Sequence, residues 1–394
     1  MPRYVIDERA LRRNLEILKG VSDRTGAKIL LAQKAYSCAA TYPLCAKYLA
    51  GTTASSLFEA RHGHDNFGGE THVFAPAFAA EEMDEILSLV DHIVFNSPRQ
   101  VSLYGETARK HGVSVGLRVN PEVSVATTPA YDPCRPSSRL GTKLADLNAS
   151  LSTRSLQPST LNFELSTLDG LHFHCLCEQG VEELRKVLAG FEEKFGEFLP
   201  QMKWVNFGGG HHVTRADYDV DGLVELVNSF RSRHPHLDVY LEPGEAIALN
   251  AGTLESRVLE IQPKGADGIA NAILDTSAAC HMPDVIEMPY TPRVVGGTIH
   301  DPASHEPRTM NLYRFGGPTC LAGDEIGTYA FDRPLKEGDV VTFEDMAIYS
   351  MVKNNTFNGM PLPAIVVRRM TGEIELLRAF GYADFKGRLG GVGD

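Results

Sequence analysis

The sequence has no apolar run long enough to cross a membrane. No stretch of its 394 residues offers about 18 uninterrupted apolar residues, the length that a membrane-spanning helix needs. The first residues, MPRYVIDERALRRN, lack the apolar core of a signal peptide. We therefore expect a cytoplasmic protein without a membrane partner.

Cysteine and positive charge are also scarce. The seven cysteines are odd in number and irregularly spaced, which argues against a disulfide framework and for a reducing compartment. Basic residues number 38 and acidic residues 50, so the formal net charge is −12. Because a surface that binds nucleic acid needs a basic face, we expect no nucleic acid partner. A cationic substrate and a solvated acidic surface both fit this balance.

Short apolar runs alternate with amphipathic stretches between residues 28 and 245. Eight such runs occur: KILLAQKA, GTTASS, THVFAP, HIVFNS, VSVGLRVN, DGLHFHC, KWVNFGG and DVYLEPG. A repeated strand-then-helix order indicates parallel strands joined by right-handed crossovers. Eight such units favour a closed (β/α)8 barrel over an open sheet, and we predict this barrel over residues 28–248.

The segments that flank and interrupt the barrel have other patterns. Residues 1–27 predict a strand at Tyr4–Ile6 and a helix, capped by Asp7, with one apolar face: Leu11, Leu15 and Leu18. The segment Cys134–Leu168, rich in Ser, Thr and Pro, fits a surface loop.

After Gly252 the pattern becomes strand-like. The runs NAILDTSA, DVVTFEDMAIY, AIVVRRM and EIELLRAF are separated by Gly and Pro turns, and no convincing helix lies between them. We predict a mostly β domain, a β-barrel or sandwich, over residues 249–394.

Four of the predicted barrel strands end in residues that can do chemistry. In a barrel, the carboxyl ends of the strands form the active-site face. These residues are Lys34, the pair His172 and His174, the turn Gly208, Gly209 and Gly210, and Glu242.

Each of these features has an ordinary explanation when it stands alone. A lysine at a strand end snorkels as often as it forms a Schiff base, and a buried histidine is more often a core residue than a ligand. The glycines suit a tight turn or an anion cradle. His211 and His212 follow them, but adjacent side chains diverge at a strand end, which disfavours a zinc site.

One cofactor uses all four features together. A lysine can bind the aldehyde of pyridoxal phosphate, a glycine turn can hold the phosphate, an imidazole can lie against the ring, and a carboxylate can keep the ring nitrogen protonated. Lys34, His174, Gly208–Gly210 and Glu242 therefore predict pyridoxal 5'-phosphate as the cofactor, without a metal.

The order of the motifs resembles a known enzyme family. The four features are followed by GPTC at Gly317–Cys320 and by YSMVKNNTFNG from Tyr349, a pattern similar to the alanine-racemase-like, fold-type III pyridoxal phosphate decarboxylases. The resemblance implies a head-to-tail homodimer with active sites at the interface. It also implies that Tyr349 anchors the phosphate and that Cys320 of the partner subunit donates a proton. The alternative for Cys320 is a small buried apolar residue.

Within this family, the segments FGGGHH, LEPGEA, HMPDV and GPTCLAGD most resemble the decarboxylases of carboxynorspermidine and carboxyspermidine. Relatives usually carry arginine at the position of Glu245, and ornithine and diaminopimelate decarboxylases carry an acidic residue near the position of Leu321. A carboxylated polyamine has distal ammonium groups that need acidic partners. The candidates are Asp275 first, Glu245 second, and His281 and Asp284 as weaker ones.

Two other functions stay open at this point. One is another enzyme with the same cofactor, such as a diaminopimelate or other basic amino acid decarboxylase, or a racemase. The other is a non-catalytic cofactor-binding relative, although such a protein has no need for Lys34, Glu242 and Cys320 together.

Overall fold

The structure is a computed structural model that describes residues 1–152, 163–301 and 311–391. The chain divides into two units, which we call the barrel unit, Arg12–Ile247, and the sheet unit, Met1–Leu11 with Ala248–Asp394. The strands are β1 (Arg3–Asp7), β2 (Lys28–Ala32), β3 (Gly51–Ala54), β4 (Glu70–Phe74), β5 (His92–Phe95), β6 (Ser114–Arg118), β7 (Gly170–His172), β8 (Trp204–Asn206), β9 (Asp238–Leu241), β10 (Gly252–Ile261), β11 (Ala270–Leu274), β12 (Gly297–Ile299), β13 (Asn311–Gly316), β14 (Glu325–Phe331), β15 (Val340–Glu344), β16 (Ala364–Arg368) and β17 (Ile374–Arg378). The α-helices are α1 (Glu8–Thr25), α2 (Tyr42–Cys45), α3 (Leu57–Asn66), α4 (Met83–Leu89), α5 (Pro98–Lys110), α6 (Leu144–Ser152), α7 (Val181–Phe195), α8 (Val220–Arg233), α9 (Glu245–Ala248), α10 (Ala278–His281), α11 (Asp284–Glu287), α12 (Ser350–Lys353) and α13 (Tyr382–Arg388).

Strands β2 to β9 form a closed parallel barrel. The barrel closes because β9 pairs with β2, with Tyr240 opposite Lys28 and Leu241 opposite Ile29. Each of the eight runs expected from the sequence overlaps one of these strands, so the predicted (β/α)8 barrel is confirmed. Parallel strands bring their carboxyl ends to one face, so the residues that follow them meet there.

Helix α1 begins where the sequence predicts. The Asp7 Oδ1 atom accepts hydrogen bonds from the backbone N–H groups of Arg9 at 2.8 Å and Ala10 at 3.0 Å. This cap satisfies two of the donors that a helix start leaves unpaired. The three leucines expected on one face are buried: Leu11, Leu15 and Leu18.

The segment Cys134–Leu168 is not a loop throughout, which corrects the prediction. Helix α6 (Leu144–Ser152) lies inside it, and its Leu147 is fully buried. A leucine anchored in the core and the neighbouring Ala and Leu residues favour helix over the Ser and Asn that suggested a loop. Residues 153–162, also part of the predicted loop, lie outside the described residues.

The sheet unit is mostly β, as predicted. Its strands follow the order β12-β14-β13-β11-β10-β1-β16-β17, and β15 pairs with β10. Strand β1 therefore lies between β10 and β16, antiparallel to the first and parallel to the second.

Some elements of the sheet unit escaped the sequence analysis. The strands β10, β12, β13 and β14 were not predicted, and the short helices α10 to α13 correct the expectation that no helix follows Gly252. Three of these helices have four residues each, too few to be stable without tertiary contacts. Among the described residues, no helix is both long and apolar enough to span a membrane.

Candidate active site

A cavity of about 180 Å³ lies in the barrel unit at the carboxyl ends of the strands. Its lining brings together four residues selected from the sequence: Lys34, His172, His174 and Glu242. The other lining residues are Ala32, Thr53, Ala54, Ser55, Phe74, Pro76, Arg118 and Leu140. An amine, imidazoles and a carboxylate thus line one cavity.

Lys34 lies in the turn that follows β2. Its side chain is exposed to solvent and lines the cavity, where neighbouring protein atoms displace part of the water around the amine. Burial lowers the pKa of Lys34, the positive charge of Arg118 lowers it further, and Glu242 opposes both effects. A lowered pKa increases the fraction of neutral amine, which is the form that attacks a carbonyl carbon.

Both carboxylate oxygens of Glu242 have a donor from a neighbouring strand. Asn206 Nδ2 donates to Oε1 at 2.8 Å, and His172 Nε2 donates to Oε2 at 3.2 Å. Burial alone raises the pKa of Glu242, but its interactions with His172 and Asn206 outweigh burial and bring the pKa to about 2. Glu242 is therefore an anion at the cavity wall.

His174 is held in one orientation by the glycine turn. Its Nδ1 atom accepts a hydrogen bond from the backbone N–H of Gly209 at 2.9 Å, which leaves the proton of the neutral ring on Nε2. Burial lowers the pKa of His174 well below its ordinary value, and the charges of Lys34 and Arg118 act in the same direction. The ring lining the cavity is thus a neutral imidazole.

The three glycines are required by the close approach of neighbouring loops. An added Cβ on Gly209 would lie 2.0 Å from the backbone oxygen of Glu242, and one on Gly210 would lie 2.0 Å from that of Leu176. Gly208 and Gly210 also have positive φ, +69° and +85°, which favours glycine. Any residue with a side chain would push these strand ends apart.

Two of the three glycine amides already have acceptors. Gly208 N–H donates to Asn206 Oδ1 at 2.8 Å, and Gly209 N–H donates to His174 Nδ1. A phosphate at this turn would share these N–H groups with their acceptors or use that of Gly210. The phosphate cradle of Gly208–Gly210 therefore stays a prediction.

The two histidines after the turn have protein partners. His211 Nδ1 lies 2.8 Å from the Tyr218 hydroxyl, and His212 Nε2 lies 2.9 Å from Glu245 Oε2. Glu245 begins α9. It is not among the described residues that line the cavity. The expected contact between Glu245 and the substrate therefore stays a prediction.

A separate polar cluster lies at the opposite, amino-terminal end of the barrel. Glu70, His72 and His92 place one ligand atom each within 4.8 Å of one another. The two imidazoles are stacked, with centroids 4.0 Å apart and planes at 8°, so their in-plane lone pairs do not converge on one ion. Lys28 Nζ also donates a hydrogen bond to Glu70 Oε1 at 2.9 Å. Because this oxygen already has a cationic partner, the cluster is a poor cation site.

The sheet unit holds the remaining polar candidates. Asp275 follows β11, and its Oδ1 accepts from Ser256 Oγ at 2.9 Å and from the N–H of Arg257 at 2.8 Å. Asp284 forms an ion pair with Lys353. Both carboxylates are thus held by residues of their own unit.

His281 is an enclosed residue of the same unit. Its Nδ1 lies 2.9 Å from the Thr276 hydroxyl and its Nε2 donates to the carbonyl oxygen of Pro361 at 3.1 Å. Burial lowers the pKa of His281 to about 4. With both ring nitrogens engaged, its place among the weaker substrate candidates stays a prediction.

Cys320 is exposed, so the alternative of a small buried apolar residue does not describe it. Its backbone N–H donates to Asn358 Oδ1 at 2.9 Å, which fixes the loop that carries the thiol. Tyr349 has a positive φ of 48°, an uncommon conformation for a non-glycine residue and one that often marks functional sites. Its expected contact with the phosphate stays a prediction.

Sequence reasoning missed two residues of the site, Arg118 and Asn206. Arg118 ends β6, lies 4.6 Å above the Phe74 ring and donates from Nη2 to the carbonyl oxygen of His174 at 2.9 Å. Asn206 ends β8 and contacts Glu242. The available signal was their position, because each is the polar last residue of a strand and directly follows an apolar residue.

Comparison with known proteins places this site in a family. A family model described as pyridoxal-dependent decarboxylase, C-terminal sheet domain, matches residues 3–347. The carboxynorspermidine/carboxyspermidine decarboxylase of Campylobacter jejuni subsp. jejuni is 41% identical over 98% of this chain and 97% of its own. The carboxyaminopropylagmatine decarboxylase of Synechocystis sp. is 42% identical over 99% and 95%.

A solved structure agrees with these relatives. Carboxynorspermidine decarboxylase from Campylobacter jejuni, complexed with norspermidine, is 39% identical and gives a TM-score of 0.88 over 98% of this chain and 99% of that one. The chain therefore belongs to the pyridoxal-dependent decarboxylases. It is a carboxy-lyase whose cofactor is pyridoxal phosphate, and the cavity fits this cofactor because it pairs a lysine of lowered pKa with an anionic carboxylate.

Proposed function

We propose that this enzyme decarboxylates carboxynorspermidine and carboxyspermidine to norspermidine and spermidine in polyamine biosynthesis. The observation that carries the proposal is the near full-length similarity to two decarboxylases named for these substrates, at 41% and 36% identity. A diaminopimelate decarboxylase matches at 24% identity over 64% of the chain. The difference favours a carboxylated polyamine over diaminopimelate.

The residues of the barrel unit divide the work of holding the cofactor. When bound, pyridoxal phosphate supplies the electron sink for loss of carbon dioxide. The neutral amine of Lys34 would hold the aldehyde, and the anionic Glu242 would pair with the ring nitrogen. The neutral imidazole of His174, fixed by Gly209, would contact the ring, and the glycine turn and the Tyr349 hydroxyl would hold the phosphate.

We further propose that the enzyme is a homodimer and that Cys320 of the partner subunit delivers the proton that replaces the carboxylate. The exposure of Cys320 supports this role, because a thiol that serves another subunit must be accessible. The seven free cysteines support a cytoplasmic, reducing location.

The distal ammonium groups of the substrate need anionic partners. We propose Asp275 for this role, Glu245 second, and His281 and Asp284 after them. Asp275 and Glu245 each accept hydrogen bonds within their own unit, but a carboxylate has lone pairs for further donors.

A second candidate substrate is carboxyaminopropylagmatine, because the relative named for it is 42% identical to this chain. Its distal group is a guanidinium, which binds a carboxylate through two parallel hydrogen bonds, whereas an ammonium acts as a point charge. The two substrates therefore place different demands on the same acidic side chain.

A turnover panel tests the proposal. The purified enzyme is loaded with cofactor and given carboxynorspermidine, carboxyspermidine, carboxyaminopropylagmatine, diaminopimelate and ornithine, with carbon dioxide and amine product both quantified. We expect the largest kcat/KM for the two carboxylated triamines. A larger value for carboxyaminopropylagmatine selects the second candidate, and a larger value for diaminopimelate or ornithine overturns the proposal.

Mixing inactive variants tests the shared site. Lys34→Ala and Cys320→Ala proteins are each expected to be nearly inactive alone. If each site combines residues of two subunits, exchange of subunits produces hybrids in which one of two sites carries both Lys34 and Cys320. We expect activity to appear on mixing, and its absence despite demonstrated subunit exchange contradicts the shared site.

A further inference from the structure

The carboxylate of Glu242 is clamped between the last residues of two neighbouring strands. His172 ends β7, Asn206 ends β8, and Glu242 follows β9. The two donors reach different oxygens, at 3.2 Å and 2.8 Å. His172 and Asn206 are 1% and 0% exposed, so water does not compete for these bonds. The clamp fixes the carboxylate plane at the cavity wall.

The orientation of the Asn206 amide follows from its second contact. Its Oδ1 atom accepts the backbone N–H of Gly208 at 2.8 Å, so its NH2 group must point to Glu242. One side chain thus links the carboxylate to the glycine turn. Asn206 is not among the described residues that line the cavity. It therefore acts on the cavity through the residues that it contacts, Glu242 and Gly208.

The protonation of His172 follows from what surrounds its ring. Nε2 donates to Glu242, while Nδ1 is buried and has no hydrogen-bond partner among the described residues. A second proton would leave an unpaired buried N–H, which is costly. Burial accordingly lowers the pKa of His172, although the charge of Glu242 opposes this effect. His172 is a neutral donor to an anionic acceptor.

We propose that Asn206 and His172 are positioning residues that hold Glu242 ionised and aimed into the cavity, where it meets the protonated ring nitrogen of the cofactor. This inference rests on the proposed role of Glu242. The two buried hydrogen bonds stabilise the anion and fix its orientation. A carboxylate that keeps its lone pairs toward the cavity free can still accept a further donor.

The substitution Asn206→Asp tests the clamp with almost no change of shape. The new carboxylate can still accept from Gly208, but it has no donor for Glu242. Two carboxylates in contact share one proton, and the pKa for losing that proton is higher than the pKa of a single carboxyl group. The variant should therefore show a new ionisation in the absorbance titration of the bound cofactor, because the partner of the ring nitrogen now titrates.

Kinetics give a second readout of the same variant. Below the new ionisation, where Glu242 holds the shared proton and is no longer an anion, we expect kcat to fall by about 10- to 100-fold with KM nearly unchanged, and activity to recover at higher pH. The control is Asn228→Asp on α8, where the amide donates to the Arg24 carbonyl at 3.3 Å away from the cavity lining. This control should match the wild type in both readouts.

Variants of His172 keep the test decisive if Asn206→Asp folds poorly. His172→Gln retains a donor near the position of Nε2, whereas His172→Leu removes it. We expect His172→Gln to retain about 10-fold more turnover than His172→Leu at equal cofactor content. Equal turnover of the two variants contradicts the positioning role of His172.

The spectroscopic titration needs no substrate, so it separates the clamp from the proposed substrate. If the wild type decarboxylates none of the panel but Asn206→Asp shows the new ionisation, the proposed function fails and the clamp stands. If the cofactor spectrum of Asn206→Asp titrates as in the wild type, the clamp is refuted whatever the substrate. Parallel loss of Tm, cofactor and activity without a new ionisation also refutes it.

Discussion

The Nε2 atom of His212 lies 2.9 Å from the Glu245 Oε2 atom, so the carboxylate proposed to contact substrate already has a partner inside the barrel unit. Burial lowers the pKa of His212, but the hydrogen bond and charge of Glu245 outweigh burial and raise it. A histidine whose folded pKa is raised stabilises the fold when it is protonated. The pair therefore makes stability depend on pH.

The Glu245→Gln variant should lose stability mainly in mildly acidic solution. The pair contributes fully below the unfolded pKa of histidine, about 6.5, and its contribution disappears as pH rises through the higher folded pKa. We expect a loss of about 1 kcal/mol in the free energy of unfolding near pH 6 and a smaller loss near pH 9. Chemical denaturation at both pH values measures it, with Glu106→Gln, an exposed carboxylate of α5 that pairs with Lys110, as the control. An equal loss at both pH values contradicts the charged pair.

Lys34→Ala should abolish the covalent link to the cofactor. Among the described residues, Lys34 is the lysine that lines the cavity, and its lowered pKa favours the reactive neutral amine. Borohydride reduction of the wild type, followed by peptide mapping, should place the cofactor on Lys34. A modified peptide that carries the cofactor on any other lysine overturns this assignment.

Glu242→Gln should bind cofactor but turn over slowly. The amide removes the negative charge that favours a protonated ring nitrogen, while the contact with Asn206 can be kept through the amide oxygen. The loss of one such electrostatic partner typically costs about 10²-fold in kcat, or roughly 3 kcal/mol. Single-turnover rates at saturating cofactor measure the effect, and an unchanged rate assigns Glu242 a structural role.

Asp275→Asn should weaken recognition of the distal ammonium group. An uncompensated buried charge is expensive, so we expect KM for carboxynorspermidine to rise by about 10-fold or more, with less discrimination against analogues that have an uncharged tail. Cofactor content should stay near that of the wild type. The control is Asp267→Asn, which removes an ion pair with Arg314 elsewhere in the sheet unit.

The result with Glu245→Gln separates the two acidic candidates. If Glu245 binds substrate, this variant raises KM in the same way as Asp275→Asn. If it serves only His212, its stability changes with pH while selectivity does not. Unchanged selectivity in both variants contradicts the proposal that Asp275 and Glu245 bind the distal ammonium groups of the substrate.

The barrel and the centre of the cavity were predictable from the sequence because they depend on local patterns. Each barrel strand is a short apolar run, and parallel strands deliver the residues that follow them to one face. Lys34 and Glu242, 208 positions apart in the sequence, therefore line the same cavity.

The features that escaped prediction depend on distant partners. Strand β1 pairs with residues 252–255 and 364–368, and no local pattern specifies such pairings. The polar residue Asn206 gives no local indication that its amide divides between Gly208 and Glu242. The Glu245 carboxylate looked available for substrate because its contact with His212 requires the turn between β8 and α8 to fold back on α9.

The central claim is that a carboxylated triamine is the substrate, and the ratio of kcat/KM for carboxynorspermidine to that for diaminopimelate tests it most directly. Both values are measured on one cofactor-loaded preparation, with norspermidine and lysine identified as products by mass spectrometry. The account predicts a ratio of about 10² or more, because a charged group that is left without a partner in the substrate site costs roughly 3 kcal/mol. A ratio near or below one contradicts it.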